Sequence, residues 1–200
     1  EKGVSVITVP ENRWDRVDIK TVGLLPNVLA REAAKRQGAQ EAVFVDEAGH
    51  IKEGAATNVW IVTKDGTLVT RPAEHGILRG VTRTTVMDLA EKLGLTVEER
   101  SFSVEEARFA REMFITAATT LVMPVVAVDG QTIGNGHPGL IAPQLLPLRK
   151  KPLPDNGTNR VGRQLLVFRL AGHFISVLTG LDRKVALPMQ TQAYRKDGNG

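Results

Sequence analysis

Lys20, Glu53 and the turn Gly80-Val81-Thr82-Arg83 are the residues of this chain whose types and order suggest chemistry. Lys20 offers an amine between an extended segment and an apolar helix, with Ile19 and Val22 beside it. An amine free of its proton condenses with an aldehyde, and apolar or cationic surroundings favour that unprotonated form. Glu53 stands immediately before Gly54-Ala55-Ala56, small residues that let a planar ring approach the backbone. A carboxylate there can keep a ring nitrogen protonated, so that the ring takes up electrons from a carbanion. Gly80-Val81-Thr82 leads into a helix whose first N–H groups, with the Thr82 hydroxyl, can hold a phosphate. Amine, carboxylate and phosphate cradle in this order suit a pocket for pyridoxal 5′-phosphate. Thr116-Ala117-Ala118-Thr119-Thr120 adds hydroxyls and small side chains where a second phosphate contact fits. Each feature also has an ordinary reading: a solvated strand-end lysine, a turn carboxylate, an N-cap threonine, a structural turn.

The elements that must carry these residues alternate between strand and helix. Val4 to Val9 is β-branched and reads as a strand. Leu25 to Gln37 places Leu25, Val28, Leu29, Ala33 and Ala34 near one face and stops at Gly38, the pattern of an amphipathic helix. Ala42–Val45 reads as a short buried strand, followed by a hairpin turn over Asp46–His50. Asn58–Thr63 and Thr67–Thr70 flank Lys64-Asp65-Gly66, and Asp-Gly between β-branched runs is a strong hairpin signal. A helix is expected over Thr82–Leu93 with Gly94 as its stop, then an extended run Leu95–Phe102. Ser103 and Glu106 have the spacing of a capping box. Met113–Thr116 and Pro124–Val128 complete the strands, with Asp129-Gly130 turning the second one back. This order predicts an α/β fold with a mixed sheet.

Composition narrows the function classes. The 42% hydrophobic content of the 200 residues supports a sizeable core. There is no cysteine, hence no disulfide and no thiolate metal site, and four scattered histidines (His50, His75, His137, His173) make no metal cage. The net charge of +4 is unevenly spread: residues 141–200 hold 10 Lys/Arg against 3 Asp/Glu, and residues 1–140 hold 16 against 19. The basic tail has only Phe168, Phe174 and Tyr194 as aromatics, not the interleaving of a base-stacking surface, so no nucleic-acid partner is expected. Gln164–Leu181 is apolar but broken by Arg169 and His173, so no membrane span is expected either. No charged-then-apolar leader precedes the first strand, and the expected location is cytoplasmic.

Four blocks, taken in order, resemble one family. They are Asp18-Ile19-Lys20 with Leu24-Leu25-Pro26-Asn27-Val28-Leu29-Ala30, Glu53-Gly54-Ala55-Ala56-Thr57-Asn58-Val59, Ile77-Leu78-Arg79-Gly80-Val81-Thr82-Arg83, and Phe114-Ile115-Thr116-Ala117-Ala118-Thr119-Thr120 with Pro124-Val125. From Arg13 to about Gly139 the chain resembles the larger, C-terminal domain of the fold-type IV pyridoxal phosphate aminotransferases, with the D-amino acid aminotransferases most similar. The resemblance implies a mixed, barrel-like sheet, a homodimer, and transamination between a D-amino acid of the D-alanine class and a 2-oxo acid such as 2-oxoglutarate. It implies that Lys20 carries the cofactor as a Schiff base and shuttles the proton. Glu53 would pair with the pyridine nitrogen, Leu78 would pack on the ring, and Val81 and Thr82 would hold the phosphate. Ala118 stands where the family often has a hydroxyl, so that contact would pass to Thr119. Ala55 and Ala56 stand where D-amino acid enzymes commonly have serines.

The family's smaller N-terminal domain, with its phosphate arginine, has no counterpart in these 200 residues. After residue 139 the family pattern is lost, and a partial gene product with a basic, Pro-rich tail over residues 140–200 is expected. A branched-chain L-aminotransferase or an aminodeoxychorismate lyase would use the same Lys20 and Glu53. An inactive scaffold and a basic-tail binding protein are the readings from other classes.

Overall fold

The computed structural model describes residues 2–74 and 76–146. All of them lie in the first of two units, Glu1–Asp155; the second, Asn156–Gly200, is outside the described residues, as are the basic tail from residue 147 on and the apolar run Gln164–Leu181. Strand β1 (Val4–Pro10) leads through helix α1 (Leu25–Arg36) to β2 (Glu41–Val45), and β1 and β2 are parallel. The turn after β2 has Gly49 at φ 80°, where glycine costs nothing, and the Asp46 carboxylate accepts from the His50 N–H at 2.9 Å. It returns the chain as β3 (Ile51–Gly54), antiparallel to β2.

A second hairpin, β4 (Asn58–Val62) with β5 (Leu68–Thr70), turns through Gly66. Helix α2 (Val81–Lys92) follows and ends at Gly94 (φ 69°), then β6 (Val97–Glu99) runs parallel to β5. Short α3 (Val104–Phe109) precedes β7 (Glu112–Ala117), β8 (Leu121–Val128) and β9 (Gln131–Thr132). Helix α4 (Ile141–Gln144) is the last described element. Its first N–H groups are capped by the Glu112 carboxylate, which accepts from Leu140, Ile141 and Ala142.

The sheet order is β3-β2-β1-β8-β7-β4-β5-β6, with β9 added on β8, and parallel and antiparallel pairs mix along it. Its ends curl back toward each other: the N–H of Ile51, the first residue of β3, donates to the Phe102 carbonyl at 2.9 Å, and His50 bridges Ser103. The expected α/β fold with a mixed, barrel-like sheet is therefore what forms.

Side-chain alternation sorts the core into faces. Val59 and Ile61 join Val6, Val43, Met113, Ile115 and Phe102 in one cluster, whereas Trp60 and Val62 point the other way, toward Val86 and Ala90 of α2. On the β1–β2 side, Ala30 and Ala34 of α1 cover Ile7, Ala42 and Phe44.

Three elements differ from expectation. Helix α1 turns Ala30 and Ala34 inward onto Ile7, Ala42 and Phe44 and leaves Leu25, Val28 and Leu29 outward, at 67%, 59% and 58% exposure. The capping box is half made: Ser103 Oγ accepts from the Glu106 N–H at 3.0 Å, but the Glu106 carboxylate pairs with Arg100. Strand β8 starts three residues earlier than Pro124. The missing N–H of that proline is tolerated because it lies one residue ahead of the β1 pairing, which opens at Val4 opposite Val125. Among the described residues no helix is long and apolar enough to cross a membrane.

Candidate active site

Glu53 is the best-held group of the expected site. It lies in β3 one residue before Gly54, and its side chain is only 6% exposed. Oε1 accepts from Arg13 Nη1 at 2.7 Å, and Oε2 accepts from the Leu78 N–H at 3.0 Å and Asn58 Nδ2 at 3.3 Å. Asn58 Nδ2 also donates to the Leu78 carbonyl at 2.8 Å, so one side chain ties the Glu53 strand to the loop ahead of α2. Burial pushes the Glu53 carboxyl above the usual carboxylate range, against the pull of Arg13 and the Leu78 N–H; Glu11 adds to the rise.

The phosphate cradle lies next along that loop. Gly80 is the N-cap of α2, and no side chain caps it, so the first-turn N–H groups are left for another acceptor. A Cβ at Gly80 would overlap Asn58 Oδ1, which explains the glycine. Leu78 is half-buried, Val81 exposed and Thr82 buried. Arg83 anchors this helix end: buried against Trp60, it donates to the Arg71 carbonyl at 3.0 Å and pairs with Glu99.

The other two blocks reach the same region. Asn27, in the first turn of α1, donates to the Ala55 carbonyl at 2.8 Å, which ties the start of α1 to the loop after Glu53. Asn58 pairs with Thr116 across β4 and β7, and Trp60 Nε1 donates to Thr116 Oγ1 at 3.0 Å. Lys20 itself is exposed and makes no hydrogen bond or ion pair among the described residues. Thr119 is exposed in the β7–β8 turn, where Leu121 takes φ 58°. It lines a cavity of about 240 Å³ with Arg31, Glu41, Ala56 and Thr57. A second surface hollow, at Arg71, Pro72, Glu74 and Ser101, holds none of the expected site residues.

A pinned acid, an open helix N-terminus and a loop of small residues fit the ring nitrogen, phosphate and flat face of pyridoxal phosphate. The buried Thr57 hydroxyl, which has no hydrogen-bond partner, is a spare polar group beside the same loop.

The model of the class IV amino-transferases matches residues 2–128. The chain belongs to that family. It is 42% identical over 139 residues to a D-alanine aminotransferase of Bacillus licheniformis, an alignment covering 70% of this chain and 48% of that one. Among solved structures, the branched-chain amino acid aminotransferase of Escherichia coli is 30% identical with a TM-score of 0.64, covering 73% of this chain and 50% of that one. That of Thermoproteus uzoniensis, solved with norvaline, gives 32% and 0.64, covering 72% and 49%. A further branched-chain enzyme, complexed with N-(5′-phosphopyridoxyl)-L-glutamate, gives 30% and 0.65 over the same shares. The chain thus spans about half the length of the curated relatives it matches.

Residue reasoning missed four participants: Arg13, Glu11, Asn58 and Glu41. Arg13 and Glu11 precede Lys20 in a segment without regular periodicity, so no pattern marked them. Asn58 read as the start of a strand, and its polar side chain in an otherwise apolar run was the available signal. Glu41 opens a buried strand and is 4% exposed. Burial pushes its carboxyl above the usual range, opposed by the Ala42 N–H, by Arg31 and by the Ala56 N–H.

Proposed function

We propose that this chain is the larger, cofactor-holding part of a pyridoxal phosphate-dependent aminotransferase acting between a D-amino acid of the D-alanine class and a 2-oxo acid such as 2-oxoglutarate. The observation that carries the reading is the convergence on Glu53: Arg13, Asn58 and the Leu78 N–H fix its carboxylate beside the open end of α2. The 42% identity to a D-alanine aminotransferase supports the choice of substrate class. When bound, pyridoxal phosphate supplies an aldehyde that condenses with amines and a pyridine ring that takes up the electrons left at Cα.

The chain's residues would divide the work. Glu53 holds the proton on the ring nitrogen. The N–H groups of Val81 and Thr82, at the positive end of α2, bind the phosphate, with Thr119 as a further contact. Leu78 packs against the ring. Lys20 Nζ would hold the cofactor through its aldehyde and would serve as the base and acid that moves the substrate Cα proton. Ile19, Val22, Leu24, Leu25, Val28 and Leu29, on either side of Lys20 in the chain, leave an apolar surface exposed. That surface supports a homodimer in which a second subunit covers the amine.

Borohydride treatment of the loaded protein followed by peptide mapping tests the lysine. The phosphopyridoxyl label is expected on Lys20, and a label on another lysine overturns the assignment. Offering D-alanine and L-leucine separately with 2-oxoglutarate tests the substrate. The fold neighbours, at 30–32% identity, favour a second reading as a branched-chain L-aminotransferase. Faster glutamate formation from L-leucine would establish that reading instead.

A further inference from the structure

Behind Glu53 lies a ladder of buried charges that the reaction as proposed does not use. Lys52 Nζ is 3.2 Å from Glu11 Oε2. Glu11 in turn accepts from Arg13 Nε at 2.8 Å, Arg13 Nη2 at 2.7 Å and the Arg13 backbone N–H at 3.0 Å. Arg13 Nη1 reaches Glu53, and its guanidinium carbon lies 4.2 Å from the centre of the Phe44 ring. The side chains of Lys52, Glu11, Arg13 and Glu53 are 14%, 14%, 6% and 6% exposed, so water screens the ladder little.

The signs alternate, positive at Lys52 and Arg13, negative at Glu11 and Glu53, and the member at the site end is an anion. Arg13 facing Glu53 alone would cancel the charge meant for a ring N–H⁺ and would repel that cation across the carboxylate. Glu11 takes two of the three guanidinium nitrogens and leaves only one for Glu53. We propose that Glu11 is a positioning residue that offsets the Arg13 charge, so that the potential in front of Glu53 stays negative for a protonated heteroaromatic nitrogen. The proposal rests on the reading that Glu53 faces the cofactor ring nitrogen.

Two ligands separate this role from a purely structural one. Pyridoxamine 5′-phosphate carries the ring nitrogen, and its 1-deaza analogue has a carbon in that place. Dissociation constants for both can be read from quenching of tryptophan fluorescence. Glu11→Gln is expected to weaken pyridoxamine phosphate about tenfold and to change the deaza analogue less than about twofold. Glu11→Asp should restore most of the preference. Lys52→Met tests the opposite sign without removing a member next to Glu53: pyridoxamine phosphate should bind about two- to threefold tighter, with the deaza analogue unchanged. Equal changes for both ligands, or none in either variant, would overturn the role of Glu11. Glu53→Gln serves as the control. If that variant treats the two ligands as the unaltered protein does, the placement of Glu53 itself fails; if it loses the preference while Glu11→Gln keeps it, only the present inference fails.

Discussion

At the scale of single residues, two buried carboxylates of this chain do opposite things. Glu53 is satisfied on both oxygens and offset by one cation, so its ionised form has a purpose and a partner. Glu53→Gln keeps the shape but not the charge; bound cofactor should remain while single-turnover proton transfer slows about a hundredfold, measured by stopped-flow absorbance. Glu41 has fewer partners: its Oε1 accepts from the Ala42 N–H at 3.0 Å. Burial raises its folded-state value, so the stability it contributes is fully present below the ordinary 4.5 and is lost as pH rises through the raised value. Glu41→Gln should therefore raise the melting temperature by about 2–5 °C at pH 7.5 and leave it unchanged at pH 4.5. Equal shifts at both pH values would mean that ionisation is not what Glu41 costs the fold.

At the scale of elements, the turns were the most legible features and the faces of the helices the least. Gly38, Gly66, Gly94 and Gly130 each take positive φ where a stop or hairpin was expected. Such positions depend on backbone sterics within a few residues, which sequence carries directly. Which side of α1 packs inward depends instead on the strands beneath it, where Ala30 and Ala34 meet Ile7, Ala42 and Phe44 while Leu25 and Leu29 face out. Gly80 shows the same limit: its φ is −66°, and only the neighbouring Asn58 side chain forbids a Cβ. Gly80→Ala is expected to cost about 1–3 kcal/mol in denaturant titration and to displace Asn58 from Leu78. At Gly49 nothing lies within 4 Å of an added Cβ, so Gly49→Ala should cost about 1 kcal/mol, from its φ of 80° alone.

At the scale of the molecule, the pairing of β4 with β7 buries two large aromatic rings side by side. Trp60 and Phe114 stack there with ring centres 5.7 Å apart and planes 10° from parallel, both fully buried. Phe114→Ala should lower unfolding free energy by about 3–5 kcal/mol in chemical denaturation and loosen Thr116 through Trp60. The outward leucines and valine of α1 make the complementary case. Val28→Glu with Leu29→Glu should leave thermal stability within about 0.5 kcal/mol, since both positions are exposed, while abolishing self-association in sedimentation. A dimer that survives both charges would place the subunit contact on another surface.

From order and type alone, the chain declared its alternating strands and helices, its turn glycines and the four blocks that mark its family. These follow from local propensity and from motifs a few residues long. Tertiary structure decided how the blocks meet: Asn27 on Ala55, Asn58 on Leu78 and Glu53, Trp60 on Thr116. It also decided that Glu53 would have Arg13 as its cation, forty positions away in the chain. Long-range polar pairs of this kind have no period and no propensity to announce them. The sheet order, with β2 alone between β1 and β3, lets the segment after β1 bring Arg13 to Glu53.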